Sequence, residues 1–138
     1  LPSSTMHVAV RYGQVDAVQY GIATGANIEA KNLVGNTLVH EAVHWRSLPV
    51  LELLLASGIA IDSQNNVGDT ALHLASRVGL VEFAEALLRH EADTNLPNYH
   101  GFAPLHISVH YGHPKIVQLL LRFGANIDQT DPRGNTAL

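Results

Sequence analysis

The chain has 138 residues, with 8 Lys and Arg against 12 Asp and Glu, a formal net charge of −4, and 46% hydrophobic residues. That hydrophobic share excludes wholesale disorder, the acidic balance argues against a general nucleic-acid binder, and the length allows one domain. Charged residues make up only 14%, against roughly 25% in soluble domains, so part of the surface is unusually uncharged and suited to being covered.

Cysteine is absent, which excludes a disulfide framework, thiolate-bound zinc and a thiol nucleophile. The same absence fits a reducing compartment, and the expected location is intracellular, cytoplasmic or nuclear. Leu1-Pro2-Ser3-Ser4 has neither a basic nor an apolar leader pattern, so no signal peptide is expected. The most apolar stretches, residues 50–56 and 116–121, are interrupted by Glu52 and Gln118 and are too short to span a bilayer.

In chain order, one pattern keeps returning. Ser4-Thr5-Met6-His7 lies in the first unit, and Gly35-Asn36-Thr37-Leu38-Val39-His40 in the second. The third has Gly68-Asp69-Thr70-Ala71-Leu72-His73, and the fourth Gly101-Phe102-Ala103-Pro104-Leu105-His106. Gly134-Asn135-Thr136-Ala137-Leu138 begins a partial fifth. The leading glycines stand 33 residues apart, and His7 keeps that spacing from His40. Two more columns run in step. One holds Gly13, Gly79 and Gly112 with Arg46 in the remaining place; the other holds Gly25, Gly58 and Gly124 with Glu91. The units divide at about 1–31, 32–64, 65–97, 98–130 and 131–138 within a single domain.

Each unit reads as helix, turn, helix and extended finger. Thr37 and Thr70 are placed to cap a short first helix by accepting a free backbone N–H, and Gly79 or Gly112 ends it. The second helix carries apolar residues at helical spacing, as in Phe83, Leu87 and Leu88 or Ile116, Val117, Leu120 and Leu121. Pro49 and Pro114 fall near its start, where a missing N–H costs least. Gly25, Gly58 and Gly124 mark its end, where a left-handed residue is wanted. Polar segments such as 32–35 and 65–68 lead onward. One helix pair of this size cannot bury its apolar face alone, whereas like units stacked side by side share a continuous core.

These strings resemble the ankyrin-repeat family. Its Thr-Pro-Leu-His string is matched most fully by Ala103-Pro104-Leu105-His106 and Thr70-Ala71-Leu72-His73. Its Gly-Ala-Asp-Val-Asn string is matched by Gly25-Ala26-Asn27-Ile28-Glu29 and Gly124-Ala125-Asn126-Ile127-Asp128. The resemblance implies an all-α solenoid of stacked helix-turn-helix repeats with β-turn fingers. It implies a structural role for the histidine column, and it makes Asn95 a position for hydroxylation. Several positions depart from the pattern. Arg46 and Glu91 replace glycine, at roughly 1–2 kcal/mol each if left-handed; Gly21 weakens its helix by about 1 kcal/mol; Ala103 lacks a capping hydroxyl. Neither end carries the polar cap a solenoid needs, so the chain is expected to be an excerpt of a longer array.

His40-Glu41-Ala42-Val43-His44 spells H-E-x-x-H, which in a zinc hydrolase sets two ligands and a general base on one helix face. Against that reading, His40 belongs to the column His7, His40, His73 and His106, which recurs in units without the Glu. No phosphate loop, nucleophile elbow or carboxylate pair accompanies it. No catalytic residue, metal or cofactor is expected. The remaining histidines, His44, His90, His100, His110 and His113, are expected on turns and helix surfaces, most of them exposed to solvent.

Partners of ankyrin arrays dock on the fingers and on the ends of the first helices. Four residues beyond the repeating His stand Arg11, His44, Arg77 and His110; beside them stand Tyr12, Trp45, Val78 and Tyr111. The finger tips add Leu33, Val34, Val67, Tyr99, His100 and Phe102. Five of the eight aromatics fall on this one face, and neither column contains an acid. The expected function is recognition of a partner protein or peptide bearing apolar anchors and acidic residues, by a monomeric segment without nucleic-acid binding or membrane insertion. Asp16, Glu52, Glu82, Glu85 and Lys115 are expected on a solvated outer face. A structural or autoinhibitory spacer within a larger protein is the alternative.

Overall fold

The computed structural model describes residues 3–138. Leu1 and Pro2, on which the leader reading and the start of the first unit partly rest, lie outside the described residues.

Among the described residues there are eight helices in four antiparallel pairs: α1 (Ser3–Arg11) with α2 (Val15–Ala23), α3 (Leu38–His44) with α4 (Leu48–Ala56), α5 (Ala71–Val78) with α6 (Val81–Arg89), and α7 (Pro104–His110) with α8 (Pro114–Arg122). Helices of 7 to 9 residues are marginal in isolation and depend on packing. That packing comes from neighbouring units. The first helices α1, α3, α5 and α7 stack in one layer, and α2, α4, α6 and α8 stack in a second. Leu38, Ala42, Leu72, Ala75 and Leu105 fill the first layer, and Val18, Leu51, Leu54, Leu87, Ile116 and Leu120 the second, in one continuous cluster. Of the apolar positions read in the second helices, Phe83, Leu87, Leu88, Ile116 and Leu120 are buried, while Val117 and Leu121 are half-buried at the edge.

Histidine, more than threonine, closes the helix starts. Nδ1 of His40, His73 and His106 accepts the backbone N–H of Thr37, Thr70 and Ala103 at 3.0, 3.0 and 3.2 Å. An accepting Nδ1 leaves the proton on Nε2. That Nε2–H donates onward to the carbonyls of Asp69, Phe102 and Gln129 at 2.7, 2.9 and 3.0 Å. His7 makes the same reach to Ala30, at 3.0 Å. The His40 and His73 rings therefore tie the start of one helix to the next unit's finger, and His106 ties its helix start to the loop closing its own unit; His7 makes the outward bond alone. Thr70 Oγ1 also accepts the His73 N–H at 3.3 Å. At Thr37 the hydroxyl lies 3.1 Å from His40 Nδ1 instead. Thr37 thus departs from the expected cap, and Ala103 loses only the hydroxyl half of the device.

The fingers are tight turns rather than paired strands. In the second unit the Gly35 N–H donates to the Asn32 carbonyl and the Asn32 N–H to the Asn36 carbonyl, both at 3.0 Å; the third and fourth repeat the pattern. Successive fingers are tied by N–H donation from Asn66 to Val34 and from Tyr99 to Val67, each at 3.1 Å.

Arg46 and Glu91 do adopt left-handed backbone, with φ of 59° and 67°. Glu91 is exposed. Glu91→Gly is therefore expected to stabilise the chain by about 0.5–1 kcal/mol, the strain relieved less the extra freedom glycine gives the unfolded chain. Urea unfolding measures it, and an unchanged or lower midpoint contradicts it.

Candidate functional site

The helix layer of α1, α3, α5 and α7 delivers one pair of side chains per unit to the face beside the fingers. Arg11 ends α1 with Tyr12 just beyond; His44 ends α3 with Trp45 as its C-cap; Arg77 and Val78 end α5; His110 ends α7 with Tyr111 as its C-cap. All are exposed except Arg77, which is half-buried. Leu33, Val34, Val67, Tyr99, His100 and Phe102 stand exposed on the fingers. Leu33 is 99% exposed, Tyr12 69%, Tyr99 67%, Tyr111 51% and Trp45 44%. These rings are available surface, because core packing would have covered them.

Trp45 is held on three sides. Its indole N–H donates to Glu41 Oε2 at 2.7 Å, the His44 ring meets it edge-on at 4.8 Å, and the Arg11 guanidinium lies over it, 5.3 Å from the ring centroid. Glu41 is buried, and its other oxygen accepts from Asn32 Nδ2. His110 and Tyr111 repeat the edge-on pairing at 5.0 Å.

This arrangement separates the side chains of the H-E-x-x-H string. His40 is buried with both ring nitrogens engaged, Glu41 is engaged by Trp45 and Asn32, and His44 stands exposed against the indole. Among the described residues, no group of three or more His, Asp or Glu side chains is placed to hold a metal.

One expectation needs correcting. Arg77 is not a free cation, since its guanidinium pairs with the buried carboxylate of Asp69 at 3.0 Å. Asn98 Nδ2 supplies the other bond to that carboxylate, also at 3.0 Å. His113 is the exception among the five histidines, four of which are exposed as expected. It is half-buried, and its Nε2 donates to the Arg77 carbonyl at 3.0 Å, packing beside Gly79 in the neighbouring unit. His90 and His100 are exposed as expected.

The sequence reading missed the acids behind the face, Glu41 and Asp69. A signal for Asp69 existed in the register, where Asn36 and Asp69 share one column and Asn65 and Asn98 another; the structure joins the columns, Asn65 donating to Asn36 and Asn98 to Asp69. Two further aromatics, Tyr20 after the core of α2 and Phe123 at the end of α8, are exposed on the second-helix layer. Asp16, Glu52, Glu82 and Lys115 are exposed there too, and Glu85 pairs with Arg89. Asn95 sits in an exposed loop, its Oδ1 accepting the Asn126 N–H at 2.8 Å.

A cavity of about 430 Å³ opens where Arg77, Phe102, His110, Tyr111 and Asp131 converge. A smaller one, about 170 Å³, lies among Val43, His44, Leu74 and Val78. Backbone N–H groups of Asn135 and Arg133 donate to Asp131, at 2.9 Å each, and hold its carboxyl below the usual range.

Tandem helix pairs joined through histidines and fingers, with an exposed aromatic fringe, define a repeat solenoid. A family model described as ankyrin repeats in three copies matches residues 57–131, and one described as ankyrin repeats in many copies matches residues 6–55. The chain belongs to the ankyrin-repeat family. Members of that family are generally protein–protein interaction modules and generally non-catalytic. No curated protein matches the chain. No helix among the described residues is long and apolar enough to cross a membrane.

Proposed function

We propose that this segment, as a monomer and without catalysis of its own, recognises a partner protein or peptide through the ends of its first helices and its finger tips. The observation that carries the reading is the aromatic fringe: Tyr12, Trp45 and Tyr111 at the first-helix ends and Tyr99 on a finger each keep more than two-fifths of their surface in water. Rings and arginines held in place are the usual hot spots of interfaces. Their fixed geometry reduces the ordering entropy lost on binding. The partner carries apolar anchors for these rings and acidic groups for the arginines, and the setting is intracellular, cytoplasmic or nuclear. Asn95 is exposed, which suits a hydroxylation site; intact-peptide mass spectrometry of cell-derived protein reads it directly.

A photo-cross-linking amino acid at Tyr111, compared with one at Glu52 on the second-helix layer, tests the docking face. Adducts to another protein from position 111 and not from 52 are expected. Equal adducts from both positions, or none from 111, contradict the reading. Cross-links from 111 to flanking parts of the same polypeptide support the spacer alternative.

A further inference from the structure

The four units present the same register of side chains, yet their charges are not equivalent. Arg11 makes no ion pair among the described residues, and neither does Arg46, the exposed left-handed residue that follows Trp45. Arg11 is oriented by the indole beneath it. Glu41, the acid bonded to that indole, is buried, with one oxygen taken by Trp45 and the other by Asn32. It offsets one positive charge without offering a carboxylate to a ligand. In the third unit Arg77 is neutralised by Asp69. In the fourth the column residue is His110, and the cleft beside it adds Phe102, Tyr111 and the carboxylate of Asp131. The finger-tip cation Arg133 stands two residues from that carboxylate and offsets it. Cations without an ion pair therefore stand at the first-helix ends of the first two units, and aromatic surface at that of the fourth.

Resting on the docking reading above, we infer that the face is polar along its length. It takes an extended peptide whose acidic residue pairs with Arg11 beside Trp45 and whose apolar anchor sits against Phe102 and Tyr111. Trp45 and Tyr111 occupy the same C-cap position in α3 and α7, two stacking steps apart. Packed helices stand about 8–10 Å apart, so the two anchor points are separated by roughly 20 Å. An extended chain advances about 3.3 Å per residue, which sets the apolar anchor roughly six positions from the acidic residue. A guanidinium stacked on an indole keeps its edge free for a bidentate bond to carboxylate.

The test uses the 138-residue chain and fluorescent peptides in a Ser-Ala background. Each carries a Glu-Glu pair and one benzoylphenylalanine at short, roughly six-residue or long separation, in both orders along the peptide, with Gln-Gln counterparts. The roughly six-residue spacing is expected to bind tightest, with about five- to tenfold loss on Glu→Gln. Arg11→Ala should weaken the Glu peptides by a similar factor and leave the Gln peptides unchanged, with helical content by circular dichroism preserved. Irradiation should place the adduct near Tyr111 and not near Tyr12. Equal affinity at all spacings, equal loss for Glu and Gln peptides in Arg11→Ala, or no binding of any peptide overturns the inference. Cellular adducts at position 111 persisting in those cases would leave the docking reading standing while this one falls.

Discussion

Gly68→Ala is expected to cost about 3 kcal/mol, whereas Gly58→Ala is expected to cost about 1 kcal/mol, although both residues share a left-handed backbone. Their φ values are 83° and 81°. The difference lies in what an added methyl group meets. At Gly58 nothing lies within 4 Å of it, while at Gly68 it overlaps the backbone nitrogen and ring of Tyr99. Relief requires the third and fourth fingers to part, and the Tyr99 N–H bond to Val67 goes with them. Stability in a solenoid is a sum over neighbouring interfaces, so a fault between two central units weakens both halves. Urea midpoints of the two variants measure the contrast. Equal losses would mean that the fingers are not in close register.

Acidification is the second large effect. Burial pushes the pKa of His40 down from its ordinary value, outweighing the Asp69 carbonyl that accepts from it. Burial does the same to His73 against the Phe102 carbonyl. Below about pH 6.5 the unfolded chain takes up protons that the native rings refuse, so the stability these residues contribute is complete above that pH. It is lost progressively as the pH falls toward their lowered native values. Protonation also turns each Nδ1 from an acceptor into a donor facing the N–H of Thr37 or Thr70. The urea midpoint should therefore drop between pH 7.5 and 5, well above the range in which Asp131 titrates. His73→Ala should remove most of one residue's share of that slope. It should itself cost about 2–5 kcal/mol at pH 7.5, because it orphans a buried N–H and a carbonyl. A midpoint independent of pH over this range contradicts the ladder.

The repeat made the architecture legible. Glycines in register fixed where helices end, so the positive φ of Arg46 and Glu91 followed from the column each interrupts. The exposure of Tyr12, Trp45, Tyr99 and Tyr111 also followed from register, since equivalent positions face the same way in every unit. What register could not supply was the chemistry between columns. Arg77 and Asp69 stand eight residues apart across a helix start, and nothing in spacing alone says that the two side chains converge. Glu41 was obscured by its place in an H-E-x-x-H string, where its real partners, Trp45 and Asn32, come from the helix end and the finger. His113 looked like one more surface histidine because its acceptor, the Arg77 carbonyl, belongs to the preceding unit. In each case the missing information was a side-chain contact that repeat spacing does not encode.

The paired substitution Trp45→Ala with Tyr111→Ala bears most directly on the claim that this solenoid works through its exposed fringe. Both rings sit at C-cap positions outside the buried cluster, although losing Trp45 frees one oxygen of the buried Glu41. The account therefore predicts a folded variant with near-unchanged helical content and a thermal midpoint lowered by roughly 5–10 °C, together with loss of the protein partner trapped at the docking face. A variant that unfolds would show the rings to be part of the core, and one that binds its partner with undiminished affinity would show that recognition lies elsewhere.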